Sequence, residues 1–220
     1  MIKKLNWDSH FFSKKIGKLV VGKSFNKEEF YHNAKAYDMV YLFSDSPIAI
    51  NAKLMDIKYT YSKTVQQSFA RSSSISIFNS NLDNYNELLA LAFLSGHESR
   101  FLKDSFFNPG DFKLLYKRWI DKNLSEANTQ VLVYKIKDEI VGFVSFSKDK
   151  NNSTIELIAV DTAFQGRGIG KFLILEVENY LSIHSMLSVS TQKSNVSACK
   201  FYTNYGFNSL KVKYIYHYAI

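Results

Sequence analysis

Ile155-Glu156-Leu157-Ile158-Ala159-Val160 runs straight into Asp161-Thr162-Ala163-Phe164-Gln165-Gly166-Arg167-Gly168-Ile169-Gly170. An apolar strand that ends in a glycine-rich turn and then opens a helix is a local geometry for holding a diphosphate. The first turn of a helix carries backbone N–H groups without an intrahelical partner, and the helix dipole adds partial positive charge there. An anion belongs at that spot. Gly166, Gly168 and Gly170 would let the backbone approach phosphate oxygens and reach dihedrals that other residues avoid. Arg167 and Lys171 add formal positive charge beside them. Leu173, Val177, Tyr180 and Leu181 then recur at helical spacing, which predicts a helix with one buried face. The glycines fit neither the dinucleotide fingerprint nor the P-loop spacing, so the turn alone assigns no nucleotide fold.

A second pattern lies downstream. After a short strand over Met186 to Val189 comes Thr191-Gln192-Lys193-Ser194-Asn195-Val196-Ser197-Ala198-Cys199-Lys200-Phe201-Tyr202-Thr203-Asn204-Tyr205-Gly206-Phe207. Ser194 or Asn195 caps a helix there, and Gly206 ends it in a left-handed conformation. The pair Q-G-R-G-I-G and N-x-x-A-x-x-F-Y-x-x-x-G-F, separated by a helix and a strand, resembles the acyl-CoA-binding core of the GNAT N-acetyltransferases. Trp7-Asp8-Ser9-His10-Phe11-Phe12, Ser99-Arg100-Phe101, Tyr116-Lys117-Arg118-Trp119-Ile120 and Thr191-Gln192 narrow the resemblance to bacterial nucleotide-sugar amine N-acetyltransferases of the dTDP-fucosamine type.

The resemblance implies an α/β (α+β) GNAT fold with a mixed, mostly antiparallel sheet and flanking helices. It also implies acetyl-CoA or another short acyl-CoA as co-substrate, and a dTDP-amino sugar as acceptor in surface polysaccharide (O-antigen, lipopolysaccharide) synthesis. The pantetheine arm would pair with Ile158, Ala159 and Val160 like an added strand. The diphosphate would sit on Gln165, Gly166, Arg167, Gly168, Ile169, Gly170 and Lys171, with Asn195, Ala198 and Phe201 completing the cofactor side. Tyr202 is the candidate general acid: its phenol, with a pKa near about 10, can protonate a thiolate whose acid has a pKa of about 8.5. A core tyrosine is the alternative in a chain with 14 of them. Glu156 is the candidate acceptor of the amine proton, or else a solvent-facing strand residue. His97, Arg100 and Gln192 are the candidate substrate residues; Arg100 suits a diphosphate through its bidentate fork, a surface ion pair being the alternative.

Composition bounds the rest. With 220 residues, 46% hydrophobic and 15% aromatic, the chain can bury a substantial core. It lacks a signal-like apolar run at its N-terminus and any stretch of 18 apolar residues, so the expectation is a cytoplasmic protein with no membrane partner. Its single cysteine, Cys199, falls in the helix after Asn195 and reads as a small packed residue. The five histidines are scattered without ligand spacing, so no metal is expected. The net charge of +8 would suit nucleic acid, but the lysines are dispersed and no nucleic-acid motif accompanies them; two polyanionic substrates would suit it equally. A GNAT acting on a peptide or small-molecule amine, a non-catalytic acyl-CoA-binding module, and a homodimer all stay open.

The order of elements suggests a small N-terminal α/β domain over residues 1–71 and a GNAT acyltransferase domain over 72–220, divided at Arg71-Ser72-Ser73-Ser74. In the first, strands are expected over Ile16 to Val21 and Met39 to Phe43. A helix should be boxed by Asn26 and Glu29, a short helix should follow Pro47, and a strand should lie near Ser62 to Phe69. In the second, helices are expected over Asp83 to Leu94 and from Asp111, with a loop carrying His97 and Arg100 between them. A meander over 131–160 and an alternating strand over 210–218 complete it.

Overall fold

The computed structural model describes residues 1–66 and 72–220. Ten strands form one sheet in the order β1-β2-β3-β10-β4-β9-β8-β7-β6-β5. They are β1 (Lys3–Lys4), β2 (Ile16–Val20), β3 (Met39–Ser44), β4 (Lys53–Thr64), β5 (Ile75–Ile77), β6 (Thr129–Ile136), β7 (Glu139–Ser147), β8 (Asn152–Val160), β9 (Met186–Gln192) and β10 (Ser209–Ala219). Among the described residues only β2–β3 and β8–β9 pair in parallel. The alternating C-terminal strand β10 inserts between β3 and β4, so strands on both sides of the expected division share one sheet. Arg71, where that division was expected, lies outside the described residues.

Period-two alternation sorts the helices onto two faces. Tyr61 on β4, Leu132 on β6 and Val189 on β9 point to α6 (Ile169–Asn179) and α7 (Val196–Tyr205), packing against Leu173, Val177 and Tyr202. On the same side, Val40, Leu42 and Tyr216 pack on α2 (Lys27–Ala34). On the other face, Val131, Val133 and Phe143 meet α3 (Tyr85–Ser95) and α5 (Asp111–Ser125) through Leu88, Leu91 and Phe112. Also there, Tyr41 and Met39 meet α1 (Asn6–Phe11) and α4 (Arg100–Lys103) through Phe12 and Phe101.

The expected caps form. Asn26 Oδ1 accepts from Glu29 N at 3.0 Å, and Asn195 Oδ1 from Ala198 N at 3.1 Å. Three expectations are corrected. No helix follows Pro47: Ile48 N donates to the Tyr216 hydroxyl and Asn51 N to the Tyr31 hydroxyl, both at 3.0 Å, so these amides are satisfied by core side chains instead of an i−4 carbonyl. The strand placed near Ser62 to Phe69 begins earlier, as β4 over Lys53–Thr64, and residues 67–69 lie outside the described residues. Arg100 is not in a loop but starts α4, because Ser99 Oγ accepts from Phe101 N and nucleates a short turn.

Candidate active site

The parallel pair β8–β9 holds together only from Asn152↔Met186 to Ile155↔Val189. Beyond it both strands continue, β8 paired outward to β7 as far as Val160 and β9 paired outward to β4 as far as Gln192. Their facing edges therefore part and leave a slot walled by unpaired backbone. Unpaired N–H and C=O groups of this kind accept an extended, amide-bearing chain as an added strand. A bulge marks the parting point: Ser145 opposes Leu157 and Phe146 opposes Ile155, so Glu156 is the extra residue.

A cavity of about 360 Å³ opens from this slot. β8 supplies Ile158, Ala159 and Val160 to its wall. The glycine turn adds Gln165, Gly166 and Gly168, and the start of α6 adds Ile169, Gly170 and Lys171. From α7 and its cap come Asn195, Ala198, Phe201 and Tyr202, and His97 closes the side nearest α3. Leu94, Ser95, Phe164 and Ser197 also line it and were not singled out from sequence; their apolar or small character carries no motif signal.

The glycines do different work. Gly166 and Gly168 have φ of +76° and +80°, the left-handed region that favours glycine. Gly168 is the N-cap of α6, and the first intrahelical bond runs from Phe172 N to Gly168 O at 3.1 Å. The amides of Ile169, Gly170 and Lys171 precede that bond and face the cavity end of the helix, where an anion is favoured. Gly170 also serves packing: a Cβ there would lie 3.2 Å from Phe201 Cζ, so this glycine lets α6 and α7 approach closely.

Tyr202 is 4% exposed and packs against Tyr61, Phe201 and Phe207 while lining the cavity. Burial pushes its hydroxyl pKa far above the ordinary phenol value, with a smaller contribution from Cys199. The hydroxyl thus stays protonated at neutral pH. Cys199 is half-buried, and its thiol donates to Gln192 O at 3.6 Å.

Four of the expected residues stand outside the cavity wall. Arg167 turns back, donating to Ala163 O at 3.2 Å with its guanidinium 5.0 Å from the Phe164 ring. Arg100 lies over the rings of Phe101 (4.3 Å) and Tyr41 (5.5 Å) on the opposite face of the sheet. Glu156 is exposed at the bulge, and Gln192 ends β9 opposite Lys58. Glu98 was missed. It accepts from Ser194 Oγ at 2.7 Å and pairs with Lys103, tying the α3–α4 loop to the β9–α7 loop beside the cavity.

On the face of α3 and α4, the middle strands carry a polar floor. Thr60 and Ser190 hydroxyls meet at 2.9 Å and those of Thr154 and Ser188 at 3.0 Å. Lys58 stands directly across from Lys213, and Thr60 across from Lys211. Burial and then the nearby Arg100 cation push the Lys58 pKa below the usual lysine value.

Residues 92–207 match the model of the acetyltransferase (GNAT) family, more than half of the chain. The chain belongs to that family. It is 24% identical over 122 residues to the spore coat polysaccharide biosynthesis protein SpsD of Bacillus subtilis, covering 54% of this chain and 42% of SpsD. It is 32% identical over 88 residues to the [ribosomal protein bS18]-alanine N-acetyltransferase of Haemophilus ducreyi, covering 39% of this chain and 61% of that one. The matches thus span less than two thirds of either relative. A functionally unknown conserved protein of Staphylococcus epidermidis superposes on 99% of this chain and 91% of its own with a TM-score of 0.73 at 13% identity, so the two share a fold.

GNAT enzymes use acetyl-CoA as the acyl donor, and the slot fits it. The parted edges suit the pantetheine amides, and the free amides of α6 suit the pyrophosphate. Among the described residues no group of three or more His, Cys, Asp or Glu could hold a metal ion, and no helix is long and apolar enough to cross a membrane.

Proposed function

We propose that this GNAT protein transfers an acetyl or other short acyl group from acyl-CoA to the amine of a dTDP-linked amino-dideoxy sugar for a bacterial surface polysaccharide. The observation that carries this reading is the uncovered polar floor beside the slot, where Lys58 faces Lys213 across β4–β10. Asp45 pairs with Lys213 at 2.6 Å, and a bound anion would supply a counter-charge beside the half-buried Lys58. A nucleoside-diphosphate sugar brings two phosphates to such a place and hydroxyls to the Thr60 and Ser190 side chains. The polysaccharide-synthesis relative supports the same direction.

Acyl-CoA brings an activated thioester; the protein residues do the rest. Backbone amides of β8 near Ile158 polarise the carbonyl and stabilise the oxyanion that forms on it. Asn195, whose Oδ1 is held by its own helix, lines the cavity beside the pantetheine path. Tyr202 gives its proton to the sulfur in concert with C–S cleavage, since its raised pKa disfavours transfer to a free thiolate. Glu98, tied to Ser194, fixes the loop that carries His97 against the cavity mouth.

The second relative favours a peptide amine as acceptor. A thiol-release assay with acetyl-CoA against dTDP-4-amino- and dTDP-3-amino-dideoxy sugars, and against a peptide with N-terminal alanine, separates the two. Turnover of a dTDP-amino sugar alone is the expected result. Turnover of the peptide alone would overturn the nucleotide-sugar reading.

A further inference from the structure

The acceptor side holds a buried polar cluster that the steps above leave unused. Asp56 on β4 is 7% exposed, and its Oδ1 is buried with no hydrogen-bond partner among the described residues. Arg100 Nε, the Tyr41 hydroxyl and His217 Nε2 are likewise buried and unpaired. Buried polar groups in folded proteins are nearly always paired, so four unmatched atoms in one neighbourhood call for an explanation. A catalytic role is one explanation for such groups.

Its position points to a task. Asp56 lies on the same face of β4 as Lys58, two residues earlier, and Lys58 is the register partner of Gln192 at the open end of the slot. The strand rise places the two side chains roughly 7 Å apart along the floor. We propose that Asp56 is the group that takes the proton of the acceptor amine through water, with the Arg100 cation close enough to act on its carboxylate without being paired to it. This rests on acyl transfer to an amine and not on the acceptor being a sugar.

The balance is simple. The acceptor arrives as an ammonium ion and passes one proton to the Asp56 carboxylate. The freed lone pair forms the C–N bond, and the C–S bond breaks as the sulfur takes a proton from Tyr202. The amide nitrogen loses one further proton, which re-protonates Tyr202 through water, and Asp56 releases its proton to solvent. One proton is lost in total.

The charges around Asp56 suit that role. Burial raises its pKa to about 6, outweighing the pull of the Arg100, Lys58 and Lys103 cations, while Glu98 adds to the rise. Asp8 from α1 and Tyr116 from α5 also face the cluster through Arg100. On the β10 side, His217 Nδ1 pairs with Asp104 Oδ2 at 2.5 Å, and burial lowers the His217 pKa. A carboxylate of this strength is ionised at neutral pH and basic enough to accept a proton there. Arg100 and Lys58 also repel an ammonium ion, which favours its neutral form.

The test compares Asp56→Asn with the wild type on whichever of the dTDP-amino sugar and the N-terminal alanine peptide the wild type acetylates, so a wrong acceptor class leaves it standing. kcat/KM for the acceptor should fall roughly 10²- to 10⁴-fold, the range for proton transfer by a positioned group, with the acetyl-CoA KM unchanged. The acid limb of the pH profile near 6 should vanish. A raised carboxyl pKa stabilises the fold at low pH, and that contribution is lost as pH rises from about 4 through about 6. At pH 8 the variant should therefore melt at the wild-type temperature or above. Asp56→Glu should recover part of the activity. Full activity in the asparagine variant, or lost activity accompanied by a lower melting temperature at pH 8, would overturn the proposal and leave Asp56 as a buried structural carboxyl.

Discussion

The two faces of the central sheet are built in opposite ways. On the α6–α7 face, a run from Ile155 to Phe207 supplies the slot, the glycine turn, the helix N-terminus and Tyr202. On the other face, the polar cluster draws on Asp8, Tyr41, Asp56, Arg100 and His217, residues from almost the whole length of the chain. The donor side works mainly through backbone, so turn glycines and helix caps encode it locally. The acceptor side works through side chains that only the long-range pairing of β3, β10 and β4 brings together. A face made from local backbone is shared across a family, whereas a face made from dispersed side chains is free to specify one acceptor.

Breaking the donor side at its chemistry should give the largest effect. Tyr202→Phe keeps the ring and its packing on Tyr61 and Phe207, so the melting temperature should hardly move, while kcat falls roughly 10²- to 10⁴-fold. Both KM values should stay near wild type, because the lost interaction is made mainly in the transition state. An acyl donor with a more acidic leaving thiol should rescue the variant more than the wild type. Unchanged kcat would return Tyr202 to a packing role.

Next comes the anion seat. Gly168→Asp places a carboxylate at the α6 N-cap and forces a side chain onto a φ of +80°. Acetyl-CoA affinity should fall roughly 100-fold or more, since an anion replaces the dipole's natural ligand and each tenfold is about 1.4 kcal/mol. Calorimetry reads this directly, and unaltered affinity would remove the diphosphate assignment.

On the acceptor side, Lys213→Glu should raise the sugar-nucleotide KM roughly 10-fold and weaken its salt dependence, leaving the acetyl-CoA KM alone. A KM insensitive to both charge and salt would mean that the lysines of the floor do not hold phosphate. The smallest effect should come from Arg167→Ala. That side chain is turned onto Ala163 and Phe164, so acetyl-CoA affinity should change by less than about threefold, within the range of a screened surface charge.

How much of this was legible in the sequence follows the same divide. Gln165, Gly166, Gly168 and Tyr202 could be placed because each carries a local signature, and the cavity gathers all four. The fold class followed from the same motifs together with the alternation of β10. Arg167 illustrates the limit of such reading: its charge suits phosphate, but the 3-10 turn over Thr162–Phe164 offers its guanidinium a nearer carbonyl. Gly170 lines the cavity as expected, and its missing Cβ also lets α6 pack against Phe201. Arg100 was placed beside the diphosphate from its loop context, whereas Ser99 caps a turn that swings it over Tyr41 and Phe101. Asp56 had no signal at all, since an aspartate in an alternating strand reads as solvent-facing, whereas it is 7% exposed.

The most direct test of a donor face and an acceptor face that share only the slot is calorimetry of acetyl-CoA and of the dTDP-amino sugar on wild type, Gly168→Asp and Lys58→Ala/Lys213→Glu. The account predicts a double separation. Gly168→Asp should lose acetyl-CoA and keep the sugar nucleotide, and the lysine double variant should keep acetyl-CoA and lose the sugar nucleotide. Parallel weakening of both ligands in either variant would contradict it.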